Sequence, residues 1–140
     1  MNRKLLLTGA ATAMLALAAV PVATMAHHAF AAEFDSRKPL VIDGVVTKVR
    51  FVNPHSWIYL DVKDKAGKVT NWGFEFGTPA SLRALNITRE NVHAGVPLRL
   101  AGYRAKNGGP FGYATTIVLP GGRKVQIGSA PDAPPPPVEK

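Results

Sequence analysis

Between Leu40 and Phe76 three stretches separated by turn signals each place their residues on two faces with a period of two, and no other feature of the chain limits its fold as tightly. Such alternation marks strands with one packed face and one wet face. Leu40 to Val52 reads as a long first strand, with Val45, Thr47, Val49 and Phe51 on one face and Lys48 and Arg50 on the other. Gly44 interrupts the alternation begun by Leu40 and Ile42. A glycine inside a strand marks a bulge or a sharp bend. Asn53-Pro54 is a turn signal, and His55 follows it. Ser56 to Asp64 is the second strand, with Ile58, Leu60 and Val62 opposite Trp57, Tyr59 and Asp61. Asp64-Lys65-Ala66-Gly67 supplies a hairpin turn. Lys68 to Phe76 is the third strand, and Trp72, Phe74 and Phe76 share its core face.

The period changes at Gly77. Thr78 suits a helix cap and Pro79 a first helical turn. Ala80 to Leu85 is therefore a short helix presenting Leu82 and Leu85, and Thr88 to Asn91 adds one more turn before Gly95. Val96 to Ala105 resumes strand character, with Val96, Leu98 and Leu100 on one side. A glycine-rich loop from Lys106 to Pro110 leads to a fifth strand, Phe111 to Leu119. Pro120-Gly121-Gly122 turns the chain into a short last strand, Lys124 to Ile127. Three strands, a helix and two strands is the order of the OB barrel. The expected class is all-β with one short helix, a five- to six-stranded OB-like barrel. A small β-sandwich or an open sheet is the alternative. The long first strand must bend to serve both halves of a barrel, and Gly44 is placed for that bend.

The first 26 residues have the three-part layout of a secretory leader. Asn2-Arg3-Lys4 is followed by an uncharged Leu- and Ala-rich run to Val20, a break at Pro21, and small residues at Thr24 and Ala26. A membrane anchor is the competing reading, but the run is near the lower length limit for a span and no positive cluster follows it. Cleavage after Ala26 leaves 114 of the 140 residues and no stable membrane span. The sequence thus divides into a leader (1–26), a lead-in anchored by Phe30 and Phe34 (27–38), an OB-like domain (39–128) and a Pro-rich tail (129–140) read as extended, disordered and unpacked. The chain has no cysteine, which excludes disulfides, thiolate metal sites and a cysteine nucleophile. Its formal charge of +8 falls to +6 when Arg3 and Lys4 leave with the leader, and the remaining cations are scattered over the surface. The expected location is the periplasm, where nucleic acid is not a partner.

Cleavage after Ala26 would put His27 at the amino terminus. Its α-amine, titrating at about 7.7–8.0 when unperturbed, and its ring together offer a metal two nitrogens. Neutral imidazole suits copper, zinc and nickel. His55 would be the third nitrogen, an arrangement that resembles the histidine brace of copper proteins. His28 offers a rival chelate through its ring, the same amine and the amide between, so only one of the two can form. Glu33, Asp35 or Glu75 would supply an oxygen or orient a ligand histidine. The competing reading leaves His27 and His28 exposed and unliganded, with His55 capping the turn. His93 is expected at the surface.

A second set, Trp57, Tyr59, Tyr103 and Phe111, suits ligand binding on an OB face, with an envelope peptide, glycan or lipid headgroup as partner and no metal. Core filling is the ordinary use of such rings. No nucleophile elbow, phosphate loop or His-Glu-x-x-His motif is present, so no catalytic residue is assigned and a binding module is expected rather than an enzyme.

Three segments carry a family likeness: the nine residues from His27 to Asp35, then Asn53-Pro54-His55 with Trp57 and Tyr59, then Gly102-Tyr103-Arg104-Ala105-Lys106. They resemble a family of small exported bacterial proteins of unknown function (domain of unknown function family 6152), over about residues 27–128. The resemblance implies a β-rich protein in the periplasm of a Gram-negative bacterium. It brings no established activity and no catalytic residue.

Overall fold

The computed structural model describes residues 29–128, 130 and 132–136. Its elements are α1 (Ala29–Glu33), β1 (Phe34–Arg50), β2 (Ser56–Lys63), β3 (Val69–Phe76), α2 (Pro79–Ala84), β4 (Pro97–Ala105), β5 (Phe111–Val118) and β6 (Lys124–Gln126). Antiparallel pairings join β3 to β2, β2 to β1, β1 to β4 and β4 to β5. A short parallel pairing of β3 with β5 closes these five strands into a ring. β6 extends β5 over Thr116 to Val118, beyond the residues that β3 uses. The all-β class and the OB-like strand order expected from the sequence are both present, with α2 between the third and fourth strands.

β1 serves two neighbours. It pairs with β4 from Phe34 to Val45 and with β2 from Val45 to Arg50, so the exchange of partners falls beside Gly44. A Cβ at Gly44 would lie 2.9 Å from the Asp61 carbonyl oxygen and 3.0 Å from the Leu60 Cβ. Only glycine lets the strands approach that closely where the sheet coils. Gly44 does not break the alternation, however. Leu40, Ile42, Gly44 and Val46 continue one inward face, and the register shifts between Val46 and Lys48 instead. Thr47 is the extra residue of this bulge. The expected face of Val45, Thr47, Val49 and Phe51 is therefore corrected: Val45 and Thr47 are exposed, while Val49 and Phe51 pack inward beyond the bulge.

The ring encloses Ile42, Val46, Ile58, Leu60, Phe74, Phe76, Leu98, Leu100, Ala114 and Ile117. Burial of each large side chain contributes roughly 1.5–3 kcal/mol. Leu82 from α2 and Ile87 and Val92 from the following connection cover one end. Thr78 caps α2 by accepting a hydrogen bond from the Ser81 amide at 3.2 Å, and Asn86 at φ 55° turns the chain away. Of the two leucines expected on this helix, Leu82 is buried and Leu85 is exposed. Near the start of β3, Trp72 packs partly against the core with the Arg104 guanidinium over its ring.

A second cluster lies outside the ring: Phe30 and Phe34 pack on Tyr103, Ala105 and Tyr113. The lead-in thus folds onto the domain, adding a helical turn that the sequence did not suggest and starting β1 at Phe34. The described tail residues, expected to hang free, lie against the same cluster. Tyr103 Oη donates to the Pro135 carbonyl at 2.6 Å, and Tyr113 Oη accepts from the Ala130 amide at 2.7 Å. The Ala31 amide donates to Asp132 at 3.1 Å, and Lys106 Nζ donates to the Ala31 carbonyl.

Candidate functional site

The Asn53–Pro54 peptide is cis, and the turn sets His55 immediately before Ser56, the first residue of β2. Across β2 and β3, Trp57 pairs with Glu75 and Tyr59 with Gly73. Because Phe74 and Phe76 point into the ring, Glu75 between them points out. There it lies in register with Tyr113 on its other side. It is only 6% exposed there. A carboxylate so buried needs a partner. His55 supplies one, its Nδ1 contacting Glu75 Oε1. Burial pushes the Glu75 carboxyl above the usual carboxylate range; the charge of Glu33 adds to the rise, while His55 works against it.

With Nδ1 of His55 held by the carboxylate, the proton-bearing tautomer and the ring orientation are set, and Nε2 is the nitrogen left to act. Glu33, the last residue of α1, is near enough to affect Glu75 electrostatically. The lead-in helix therefore ends, at Glu33, in the neighbourhood of this pair. His27 and His28 themselves lie outside the described residues. Asp35 is engaged elsewhere: it accepts from the Arg37 amide and Nε at 3.0 and 3.2 Å, and these bonds hold its carboxyl below the usual range. Among the described residues no three His, Asp or Glu side chains converge as a metal site. His93 is exposed, its Nδ1 3.0 Å from the Ala94 carbonyl.

The four expected ligand-binding aromatics separate into two places. Trp57 and Tyr59 stack along the outside of β2, with centroids 6.4 Å apart. Phe111 joins them across Gly73: a Cβ there would meet the Phe111 ring at 3.0 Å and the Tyr59 ring at 3.2 Å. Phe111 is 40% exposed. Tyr103 does not belong to this face. It is buried under Phe30, which meets it edge-on at 5.8 Å, and its hydroxyl is bonded to the tail. Its place in the ligand-binding set is thus corrected to a packing role. Gly73 was missed, although a glycine between Trp72 and Phe74 in a strand signals close approach of another group.

No helix among the described residues is long and apolar enough to cross a membrane. Neither a curated protein nor a solved structure matches the chain. A family model described as a family of unknown function does match, over residues 13–114. It reaches from the Leu- and Ala-rich run near the start of the chain to Ala114 in β5, and so takes in the His55 turn, Glu75, Trp57, Tyr59 and Phe111. Covering well over half of the 140 residues, this match places the chain in DUF6152, a family of unknown function.

Proposed function

We propose that this chain is an exported, non-enzymatic binding module of the periplasm that holds a transition-metal ion, copper foremost, through His27 and His55. The observation that carries the proposal is the contact of His55 Nδ1 with the buried Glu75. Metal-ligating histidines commonly give their second ring N–H to a carboxylate, which fixes the tautomer and strengthens the free nitrogen as a ligand. His55 has this arrangement at a half-buried position.

The lead-in supports the same reading. α1 has five residues, and a helix rises about 1.5 Å per residue, so it is roughly 7 Å long. One end carries Glu33, which acts on Glu75, and the other is Ala29, the residue after His28. After cleavage behind Ala26, His27 would bring its amine and ring to His55 Nε2. The rival chelate through His28 needs the same amine. Copper binding would release protons and weaken with acid, because each ligand nitrogen must be unprotonated.

Intact mass of the exported protein tests the first requirement, a chain starting at His27. Copper titration then compares that form with one carrying an extra N-terminal residue, and with His55→Ala and Glu75→Gln. The extension and His55→Ala are expected to weaken binding, and loss of the orienting carboxylate by Glu75→Gln to cost about 10–100-fold. Equal affinity in the native and extended forms would remove the amine from the site. Unchanged affinity in His55→Ala would remove the ring from it.

A further inference from the structure

The bulge at Thr47 has an effect on the outside of the ring. Ahead of it, β1 turns Val41, Asp43 and Val45 outward; past it, Lys48 and Arg50 point outward, and both are exposed. Lys48 pairs with Tyr59, Tyr59 with Gly73, and Gly73 with Phe111. One row across four strands thus reads cation, aromatic, glycine, aromatic, with the two rings meeting over the glycine. Beside it Arg50 pairs with Trp57. On the other side, exposed Asp61 and Asn71 are fixed by mutual bonds: Asn71 Nδ2 donates to Asp61 Oδ1 at 2.8 Å and to Thr47 Oγ1 at 3.0 Å. Among the described residues, neither Lys48 nor Arg50 is in an ion pair.

We propose that this shelf binds an acidic polysaccharide, with Trp57, Tyr59 and Phe111 stacking against sugar faces, Asp61 and Asn71 taking hydroxyl groups, and Lys48 and Arg50 meeting sugar carboxylates. This site is separate from the metal site and does not depend on it. Aromatic rings offer flat apolar area at little entropic cost, and a fixed carboxylate and amide match the paired donors of neighbouring hydroxyls. The Phe111 and Tyr59 rings close over buried Gly73 from either side, so that with Trp57 they form one continuous apolar face. With strands spaced about 4.8 Å apart, the distance from β2 to β5 is roughly 10 Å, room for two sugar units. A peptide strand cannot add at this point, because Gly73 to Glu75 of β3 is already paired on both edges. Two cations fit the sparse charge of an acidic glycan better than the dense phosphates of a nucleic acid.

The test is native electrophoresis of the mature protein through gels containing polygalacturonate, dextran, single-stranded oligothymidylate or anionic vesicles. Retardation by polygalacturonate alone is expected. Phe111→Ala, at an exposed position, and the double variant Lys48→Ala with Arg50→Ala should each weaken it about tenfold, equivalent to about 1.4 kcal/mol. His55→Ala and added chelator should leave it unchanged. Circular dichroism checks that the variants stay folded. Equal retardation by dextran, retardation only by oligothymidylate or vesicles, or full retention by both variants overturns the proposal.

Discussion

The inside of the ring and the aromatic layer on its outside are both buried, but they are built from different parts of the chain by different chemistry. The interior is hydrocarbon from consecutive strands, with no hydroxyl on its large side chains. The outer layer joins Phe30 and Phe34 from one end of the described chain, Tyr103 and Tyr113 from the middle, and Ala130 and Ala133 near the other end. It is fastened by polar bonds, since both tyrosine hydroxyls and Asp132 reach across the chain ends. The interior can therefore form as soon as the strands close. The outer layer needs both ends in place, and each end is expected to leave without opening the ring.

The largest expected effect is in the interior. Phe74→Ala removes a fully buried ring and is expected to cost about 3–5 kcal/mol, visible as a large drop in the denaturation midpoint. Phe30→Ala should cost less, up to about 1.5–3 kcal/mol, because α1 can detach while the ring stays folded. A loss equal to that of Phe74→Ala would make the two regions one core. Smaller again is Tyr103→Phe, expected to lose about 0.5–1.5 kcal/mol for one hydrogen bond. Hydrogen exchange should show the loss confined to the chain ends.

The same tyrosine gives an alkaline test. Burial holds the Tyr103 phenol above its usual value of 10.0. The folded state therefore favours the protonated phenol; its contribution is complete below the unfolded value and is lost as pH rises through the folded one. Base should loosen the outer layer before the ring, and Tyr103→Phe should abolish that difference. Least of all should be Asp43→Asn, which breaks an exposed bidentate pair with Arg99 and is expected to cost under about 1 kcal/mol. Arg99 holds the Asp43 carboxyl below its usual value of 3.8, so this small contribution is present above that pH and fades as pH falls below it. A larger effect would mean that the coil of β1 depends on its outer surface as well as on its core.

The comparison also separates what the sequence makes legible from what it hides. Strands β2 and β3 are readable because each alternates strictly, and α2 because Thr78 and Pro79 sit at its start. The Thr47 bulge is hidden: Val45 and Val46 are both apolar, so either parity fits until β2 fixes the register. Tyr103 has the same alternation as an exposed aromatic, and only Phe30, more than seventy positions earlier, shows that it is covered. The pairing of His55 with Glu75 is equally non-local. Glu75 was one of three candidate acids, and the β2–β3 register brings it to His55 while Asp35 turns to Arg37. The proline-rich tail looks unable to dock because prolines donate no amide proton, yet the Pro135 carbonyl can still accept, and Tyr103 uses it.

The parallel seam that closes the ring sets the large residue of one strand against a glycine of the other. Phe111 stands against Gly73, and Phe74 against Gly112, where a Cβ would come 2.7 Å from its ring. The two rings lie on opposite sides of the sheet. Sliding one strand by a single residue would set Phe74 against Phe111 in one direction, or Gly73 against Gly112 in the other. The seam thus works as a keyed joint, and its two keys fix the girth of the whole hoop. A side chain added at Gly73 or Gly112 would act on every strand at once, as a shim changes the fit of a closed band.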